Sequence, residues 1–284
     1  MDYNFSEDLK AIRALLNLTQ NELAEAVGVG QITISRSESK VTKPSIQLLK
    51  QVYSFAYRKK IELNKLKQMF WLDNINTDHK LLFHGSKSGI EGEISPTKGR
   101  ANNDFGRGFY TGENYEQSVS FTSNFEKSCI YFLDFDESNL VCKKYNVNQE
   151  WMLTIAYYRG RLNQYKDHPV IKKMVEDSKN CDYIIAPIAD NRMFQIINSF
   201  IDGEITDEQC KHCLAATNLG NQYILISEKA IRQVKMVERC FVCDEEREHY
   251  KKIRSQDVKT GDDKVKLARI KYRGQGLYID EILK

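Results

Sequence analysis

The stretch that decides the fold is Leu81-Leu82-Phe83-His84-Gly85-Ser86, followed by Asp104-Phe105-Gly106-Arg107-Gly108-Phe109-Tyr110. The first is a short apolar run of the kind that forms a buried strand, and it delivers a histidine to the strand's end. The second is glycine-spaced and delivers a tyrosine. Far downstream, Gly220-Asn221-Gln222 opens another apolar run, Tyr223-Ile224-Leu225-Ile226. Three strand edges thus carry a histidine, an aromatic ring and an amide. Histidine and amide can hydrogen-bond hydroxyls, and the ring can stack on a planar group.

Around these segments the pattern is mixed. Ile130-Tyr131-Phe132-Leu133 and Tyr183-Ile184-Ile185-Ala186 read as buried strands, while 150–158 and 170–176 read as helices. Irregular interleaving of this sort predicts an α+β domain rather than a parallel βαβ series. With 284 residues the chain can bury one large or two smaller cores. Residues 244–284 are densely charged and read as a solvated helical tail.

Residues 1–57 differ. Leu9, Ile12, Leu15 and Leu16 fall at helical spacing, and Leu23, Ala24 and Val27 continue it after Thr19, a candidate N-cap. Gly28 breaks the pattern, a short helix is expected over 30–38, and Pro44 is placed in the first turn of a fourth. The run Leu18-Thr19-Gln20-Asn21-Glu22-Leu23-Ala24-Glu25-Ala26-Val27-Gly28-Val29, with Thr33-Ile34-Ser35, Glu38 and Lys43-Pro44-Ser45, resembles the repressor-type helix-turn-helix family over residues 7–57. The resemblance implies duplex DNA as partner. It puts Gln20 at a phosphate, Gln31 at a base edge where an amide can pair with adenine, and Thr33, Arg36 and Lys43 in support. Ser37 and Lys40 depart from the pattern, standing where an apolar core residue and a helix-ending glycine are usual. Six basic and six acidic side chains in 1–57 give no strong electrostatic footprint. A helical bundle for dimerisation or for binding a partner protein remains the alternative.

The segment from His79 to Lys235 resembles a bacterial family of predicted ADP-ribosyltransferases. The residues that carry this are Phe83-His84-Gly85-Ser86, Gly99-Arg100, Asp104 to Thr111, Ile188-Ala189-Asp190-Asn191 and Asn221-Gln222-Tyr223. The resemblance implies a split mixed sheet, NAD as cofactor and His84, Tyr110 and Gln222 as the catalytic set. His84 and Gly85 would hold NAD, with Ser86 and Asp104 in the cofactor-binding set, Tyr110 stacked on the nicotinamide and Arg100 at the pyrophosphate. Many such enzymes carry glutamate where Gln222 stands. An amide can hydrogen-bond a ribose hydroxyl but brings no full charge and no general base. Catalysis would then draw on positioning, on Asp104 or Asp190, or on the acceptor's own nucleophilicity. If charge is what the site lacks, Gln222→Glu should preserve or raise NAD cleavage.

Composition narrows the setting. The net charge of +3 argues for no particular partner, and no apolar run is long enough for a membrane span. Met1-Asp2-Tyr3-Asn4-Phe5 does not read as a secretory signal, and seven cysteines favour reduced thiols in a cytoplasmic protein. Cys210, Cys213, Cys240 and Cys243 form two C-x-x-C pairs, but without the turns and glycines of zinc knuckles, so no metal is expected. The expected organisation is a helix-turn-helix over 1–57, a basic helical connector over 58–78, an NAD-binding domain over 79–243 and a charged helical extension over 244–284. The whole reads as an NAD-dependent ADP-ribosyltransferase coupled to a DNA-binding domain, in a toxin or defence setting, with an unknown macromolecular acceptor and a homodimer for DNA. Two alternatives stay open: a transcription regulator with a silent NAD- or ADP-ribose-sensing domain, and an NAD glycohydrolase.

Overall fold

Five helices open the chain: α1 Phe5–Leu16, α2 Gln20–Val27, α3 Gln31–Glu38, α4 Ile46–Arg58 and α5 Leu63–Asn74. They belong to a computed structural model that describes residues 1–216 and 219–284. Side chains satisfy N–H groups that helix starts leave without partners. Thr19 and Glu22 form a capping box, Thr19 Oγ1 accepting from the Glu22 N–H at 3.2 Å and Glu22 Oε2 from the Thr19 N–H at 2.7 Å. Ser45 caps α4 by accepting from the Leu48 N–H at 3.1 Å, so Pro44 stands one residue before the cap rather than in the first turn. The expected connector helix is also interrupted. Helix α4 stops at Arg58, and Lys60, with φ 66°, turns the chain towards α5.

Beyond α5 the strands β1 His79–Ser86, β2 Phe109–Gly112, β3 Cys129–Asp136 and β4 Cys142–Lys144 alternate with α6 Tyr115–Thr122 and α7 Gln149–Tyr158. Helix α8 Pro169–Lys179 leads to β5 Tyr183–Pro187, and α9 Asn191–Ile201 and α10 Asp207–Ala215 lead to β6 Asn221–Leu225. Then come α11 Glu228–Arg232, β7 Val234–Phe241, the long α12 Asp244–Lys271 and α13 Ile279–Ile282. The arrangement is α+β, as the irregular interleaving predicts. Two compact units are formed, residues 1–89, 114–135 and 235–253 in one and 90–113, 136–234 and 254–284 in the other.

In the first unit, Leu9, Ile12, Leu23, Ile34, Leu49 and Val52 form the helical core, and Phe241 and Cys243 complete it from β7 and just beyond. A second cluster joins Leu81 and Phe83 of β1 to Tyr115, Ile130, Phe132 and Tyr250. Buried polar groups tie the helices to β7. Lys67 of α5 donates to Asp8 Oδ2 at 2.7 Å and to Glu238 Oε1 at 3.1 Å, and the Tyr53 hydroxyl also donates to Asp8. Nearby, Glu246 accepts from the Tyr115 hydroxyl at 2.7 Å and from Asn64 Nδ2 at 3.0 Å. Burial pushes the Glu246 carboxyl up to about 7, against the lowering effect of these two donors.

The second unit carries a mixed sheet in the order β4-β5-β6-β2. Strand β4 is parallel to β5, whereas β5–β6 and β6–β2 are antiparallel. Trp151, Met152 and Ile155 of α7 and Ile197 and Phe200 of α9 form the core beside Ile184 and Ile224. The solvated tail expected over 244–284 is not what the structure shows. Glu246, Arg247 and Tyr250 are buried in the first unit, and Ala268, Ile279 and Leu283 in the second. Gln209 Nε2 donates to the Arg269 carbonyl at 2.9 Å, and Arg192 Nη1 to the Val258 carbonyl at 2.8 Å. The packing residues lie far apart in a charged background, so no helical period marks them in the sequence.

Glu246 sets a pH dependence. Its folded pKa lies above the unfolded value near 4.3, so the folded state holds the extra proton between the two. Stability from this group is full below about pH 4 and is lost as pH rises to about 7, by up to about 3 kcal/mol. Urea denaturation from pH 5 to 8 should show wild type losing stability relative to Glu246→Gln. Parallel curves for the two proteins would show that Glu246 is ionised throughout.

Candidate functional site

The helix-turn-helix presents its reading helix through a chain of hydrogen bonds. Arg13 Nε and Nη2 donate to Glu38 Oε1 and Oε2 at 2.6 and 3.1 Å. Gln20 Nε2 donates to Glu38 Oε2 at 2.8 Å, and Gln31 Nε2 donates to Gln20 Oε1 at 2.8 Å. A carboxylate only accepts, so the Glu38 end fixes the orientation of both amides. Burial alone would raise the Glu38 carboxyl, but the Arg13 and Gln20 donors hold it below its ordinary value. Among the described residues Gln31 Oε1 and its second N–H have no partner, an acceptor and a donor side by side of the kind an adenine edge can pair with. Thr33, Arg36 and Lys43 are exposed, and Lys43 meets Asp2 at 2.8 Å with both side chains largely in solvent. Arg13, which sets the chain's direction, lies outside the resemblance motifs and was missed.

The two departures from the family pattern have visible consequences. Ser37 is buried, and its Oγ has no hydrogen-bond partner among the described residues. Lys40 takes the left-handed conformation, φ 59°, that glycine adopts without strain. Ser37→Ala and Lys40→Gly should each raise unfolding stability by about 1 kcal/mol. Denaturant midpoints check this, and a loss in either variant would mean that side chain has a role its contacts do not show.

The second constellation is carried by strand ends. His84, Gly85 and Ser86 close β1 in the first unit. The His84 ring lies 6.5 Å from that of Tyr131, and Ser86 Oγ accepts from the Gly89 N–H at 3.0 Å. A Cβ on Gly85 would stand 2.6 Å from the Ser118 carbonyl oxygen of α6. Glycine is thus required at this position by helix packing alone.

Arg100, Asp104, Tyr110 and Gln222 belong to the second unit. Arg100 is exposed. Gly106, at φ +71°, turns the segment back so that its carbonyl accepts from the Tyr110 hydroxyl at 2.9 Å. The same hydroxyl accepts from the Phe105 N–H at 3.1 Å. Burial pushes the Tyr110 phenol well above its ordinary value, so it is no general base. In the antiparallel register Tyr110 faces Ile224 and Gly112 faces Gln222. Tyr110 and Gln222 are therefore diagonal neighbours on one sheet face, and the residue directly across from Gln222 on β2 is a glycine.

Gln222 sits at the end of a buried polar chain. Its Nε2 donates to Asp104 Oδ2 at 3.0 Å and to the Pro187 carbonyl at 3.3 Å. Asp104 Oδ1 in turn accepts from Arg159 Nε at 2.8 Å and from Nη2. Arg159 Nη2 also donates to the Ala189 carbonyl at 2.8 Å, and Asp190 caps α9 by accepting from the Met193 N–H at 2.9 Å. The Ile188-Ala189-Asp190-Asn191 segment thus anchors Arg159 and starts a helix. Sequence reasoning missed Arg159, which follows α7 with no motif around it.

All seven cysteines are free thiols, and burial pushes those of Cys210, Cys213 and Cys240 up and that of Cys243 to about 12. Among the described residues no group of three or more His, Cys, Asp or Glu is placed to hold a metal ion, and no helix is long and apolar enough to cross a membrane.

Two family models match the chain. One, described as helix-turn-helix, covers residues 9–52, and the first helices form a DNA-binding domain of that type. The other, described as a protein of unknown function, DUF3990, covers residues 81–236, more than half of the chain. Neither the curated proteins nor the solved structures give a match.

Proposed function

This chain belongs to the DUF3990 family of proteins of unknown function, and we propose that it is an NAD-dependent ADP-ribosyltransferase carried on a DNA-binding helix-turn-helix. The observation that carries the reading is the pairing of Tyr110 with Gln222: a ring tethered by its own hydroxyl and an amide of fixed orientation on one sheet face. NAD asks for an aromatic surface for nicotinamide, an acceptor for a ribose hydroxyl and a cation for pyrophosphate. Tyr110, Gln222 and the exposed Arg100 supply those three chemistries. His84, with Gly85 and Ser86 beside it in sequence, keeps the NAD-binding role that the resemblance implies.

When bound, NAD supplies a glycosidic bond to a good leaving group. The chain's part is to orient: Tyr110 supports the nicotinamide ring and Gln222 accepts from a ribose hydroxyl. An uncharged amide and a phenol of raised pKa abstract no proton at neutral pH, so the acceptor must bring its own nucleophilicity. On DNA, Gln31 reads a base edge while Gln20, Thr33, Arg36 and Lys43 support it, and a homodimer spans two half-sites.

The test of the reading follows NAD labelled in its adenylate half, incubated with the purified chain and duplex DNA, RNA or cell lysate. Label should move to a macromolecule. Free ADP-ribose alone would make water the acceptor, and intact NAD with saturable binding would make the domain a sensor. Tyr110→Ala should weaken NAD binding by about 5-fold or more, since stacking is worth about 1–3 kcal/mol. Unchanged affinity in that variant would remove Tyr110 from the site. Gln31→Ala should cost about 1–3 kcal/mol on the preferred sequence and relax selectivity, whereas Lys43→Ala should weaken all duplexes alike. Equal binding of every sequence by wild type at low salt would leave the helix-turn-helix without a base-reading role.

A further inference from the structure

We infer that Gln222 is not a glutamate that lost its charge but the required partner of a carboxylate already present: Asp104, anchored by Arg159, is a positioning residue that fixes which way the Gln222 amide faces. This rests on the NAD reading above.

Arg159 can only donate, and it takes up Asp104 Oδ1 through Nε at 2.8 Å and Nη2, and the Ala189 carbonyl at 2.8 Å. Its guanidinium also stands 4.4 Å from the centroid of the Phe194 ring, so it is held by packing as well as by hydrogen bonds. Asp104, 5% exposed, is left with Oδ2, which faces Gln222 Nε2 at 3.0 Å. The second N–H of that amide meets the Pro187 carbonyl at 3.3 Å. Both partners accept and neither can donate, so turning the amide over would set Oε1 against a carboxylate oxygen and a carbonyl oxygen. The orientation is therefore unique.

The consequence is at the other end of the amide. Gln222 Oε1 has no hydrogen-bond partner among the described residues, yet it is not one of the enclosed unpaired atoms, so it reaches solvent. It is a fixed acceptor, polarised by the carboxylate on its nitrogen, and the group it selects is a hydroxyl donor such as a ribose hydroxyl. Asp104 itself touches no cofactor in this account. In Gln222→Glu a carboxylate oxygen would stand about 3 Å from Asp104 Oδ2, whose charge Arg159 already pairs, and one of the two acids would have to take up a proton. The structure thus reverses the expectation that Gln222→Glu preserves or raises cleavage.

The test is a double-mutant cycle on the full chain, Asp104→Asn, Gln222→Glu and both together, read by urea midpoint and by nicotinamide release from NAD. In Asp104→Asn an amide donor faces Gln222 Nε2 while the Pro187 carbonyl still requires a donor, the single orientation is lost, and kcat should fall about 10-fold or more with KM changed less than about 3-fold. Gln222→Glu should lower the midpoint at pH 8 and recover it at pH 5, where the added carboxyl is protonated. In the double variant the new amide at position 104 donates to the new carboxylate at position 222. Part of the lost midpoint should return, so that the double variant is more stable than the sum of the two single losses, while the Pro187 carbonyl still faces an oxygen. Strictly additive midpoint losses would overturn the inference whatever the activities. So would an Asp104→Asn protein with lowered midpoint but wild-type kcat and KM. A restored midpoint with no nicotinamide release from any variant, wild type included, would leave the clamp as a feature of the fold and overturn the NAD reading with its positioning role.

Discussion

Phe241 closes the core of the helix-turn-helix, and the placement of the reading helix depends on that closure. A bundle of fewer than 60 residues buries little apolar surface on its own. Here Phe241 at the end of β7 packs its ring 5.2 Å from Tyr53 and 5.8 Å from Tyr3, and is 5% exposed. Burying such a side chain contributes about 1.5–3 kcal/mol. The Asn64 amide, donating to the Phe241 carbonyl at 2.9 Å, and the Lys67 ammonium, bridging Asp8 and Glu238, hold the same strand end to α5 and α1. Leaving either group buried without its partner would cost more than the bond contributes. The DNA-reading helices and the strand that carries His84 are consequently parts of one unit, and a truncation after α4 would expose a core rather than release a domain.

The second unit is organised around a different constraint, the need to satisfy buried charge. Arg159 and Asp104 neutralise each other, and the orientation of the Gln222 amide follows from that pairing. The reading helix uses the same device: Arg13, Glu38, Gln20 and Gln31 form a chain in which an ion pair sets the direction of an amide. In both places a charged pair is the fixed end and a glutamine amide is what it orients. Glutamine suits this role because one end donates and the other accepts, so that fixing either end determines what the other presents.

The sequence made some of this legible and hid the rest for identifiable reasons. The strands β1, β3 and β5 and the helices α7 and α8 are readable because apolar runs and periodicity are local signals. Thr19 reads as an N-cap for the same reason, and the structure adds Glu22 to complete a capping box. What stayed hidden was pairing at long range. Nothing near Arg159 points to Asp104, and nothing near Phe241 points to Phe5 or Tyr53 in the core it closes. The C-terminal helix was misread because Tyr250, Ala268, Ile279 and Leu283 are too sparse to show a period. Gly85 read as a cofactor position also proves to be a packing position, since the Ser118 carbonyl occupies the space a side chain would need.

The central claim is that an uncharged, oriented amide serves NAD cleavage. The direct measurement is the steady-state release of nicotinamide by the full chain, wild type against Gln222→Ala. The account predicts a measurable wild-type turnover and a variant whose kcat falls far more than its KM rises, because an orienting hydrogen bond acts on the transition state more than on the bound ground state. Equal turnover by the two proteins would contradict it, and so would a wild type that neither binds nor cleaves NAD.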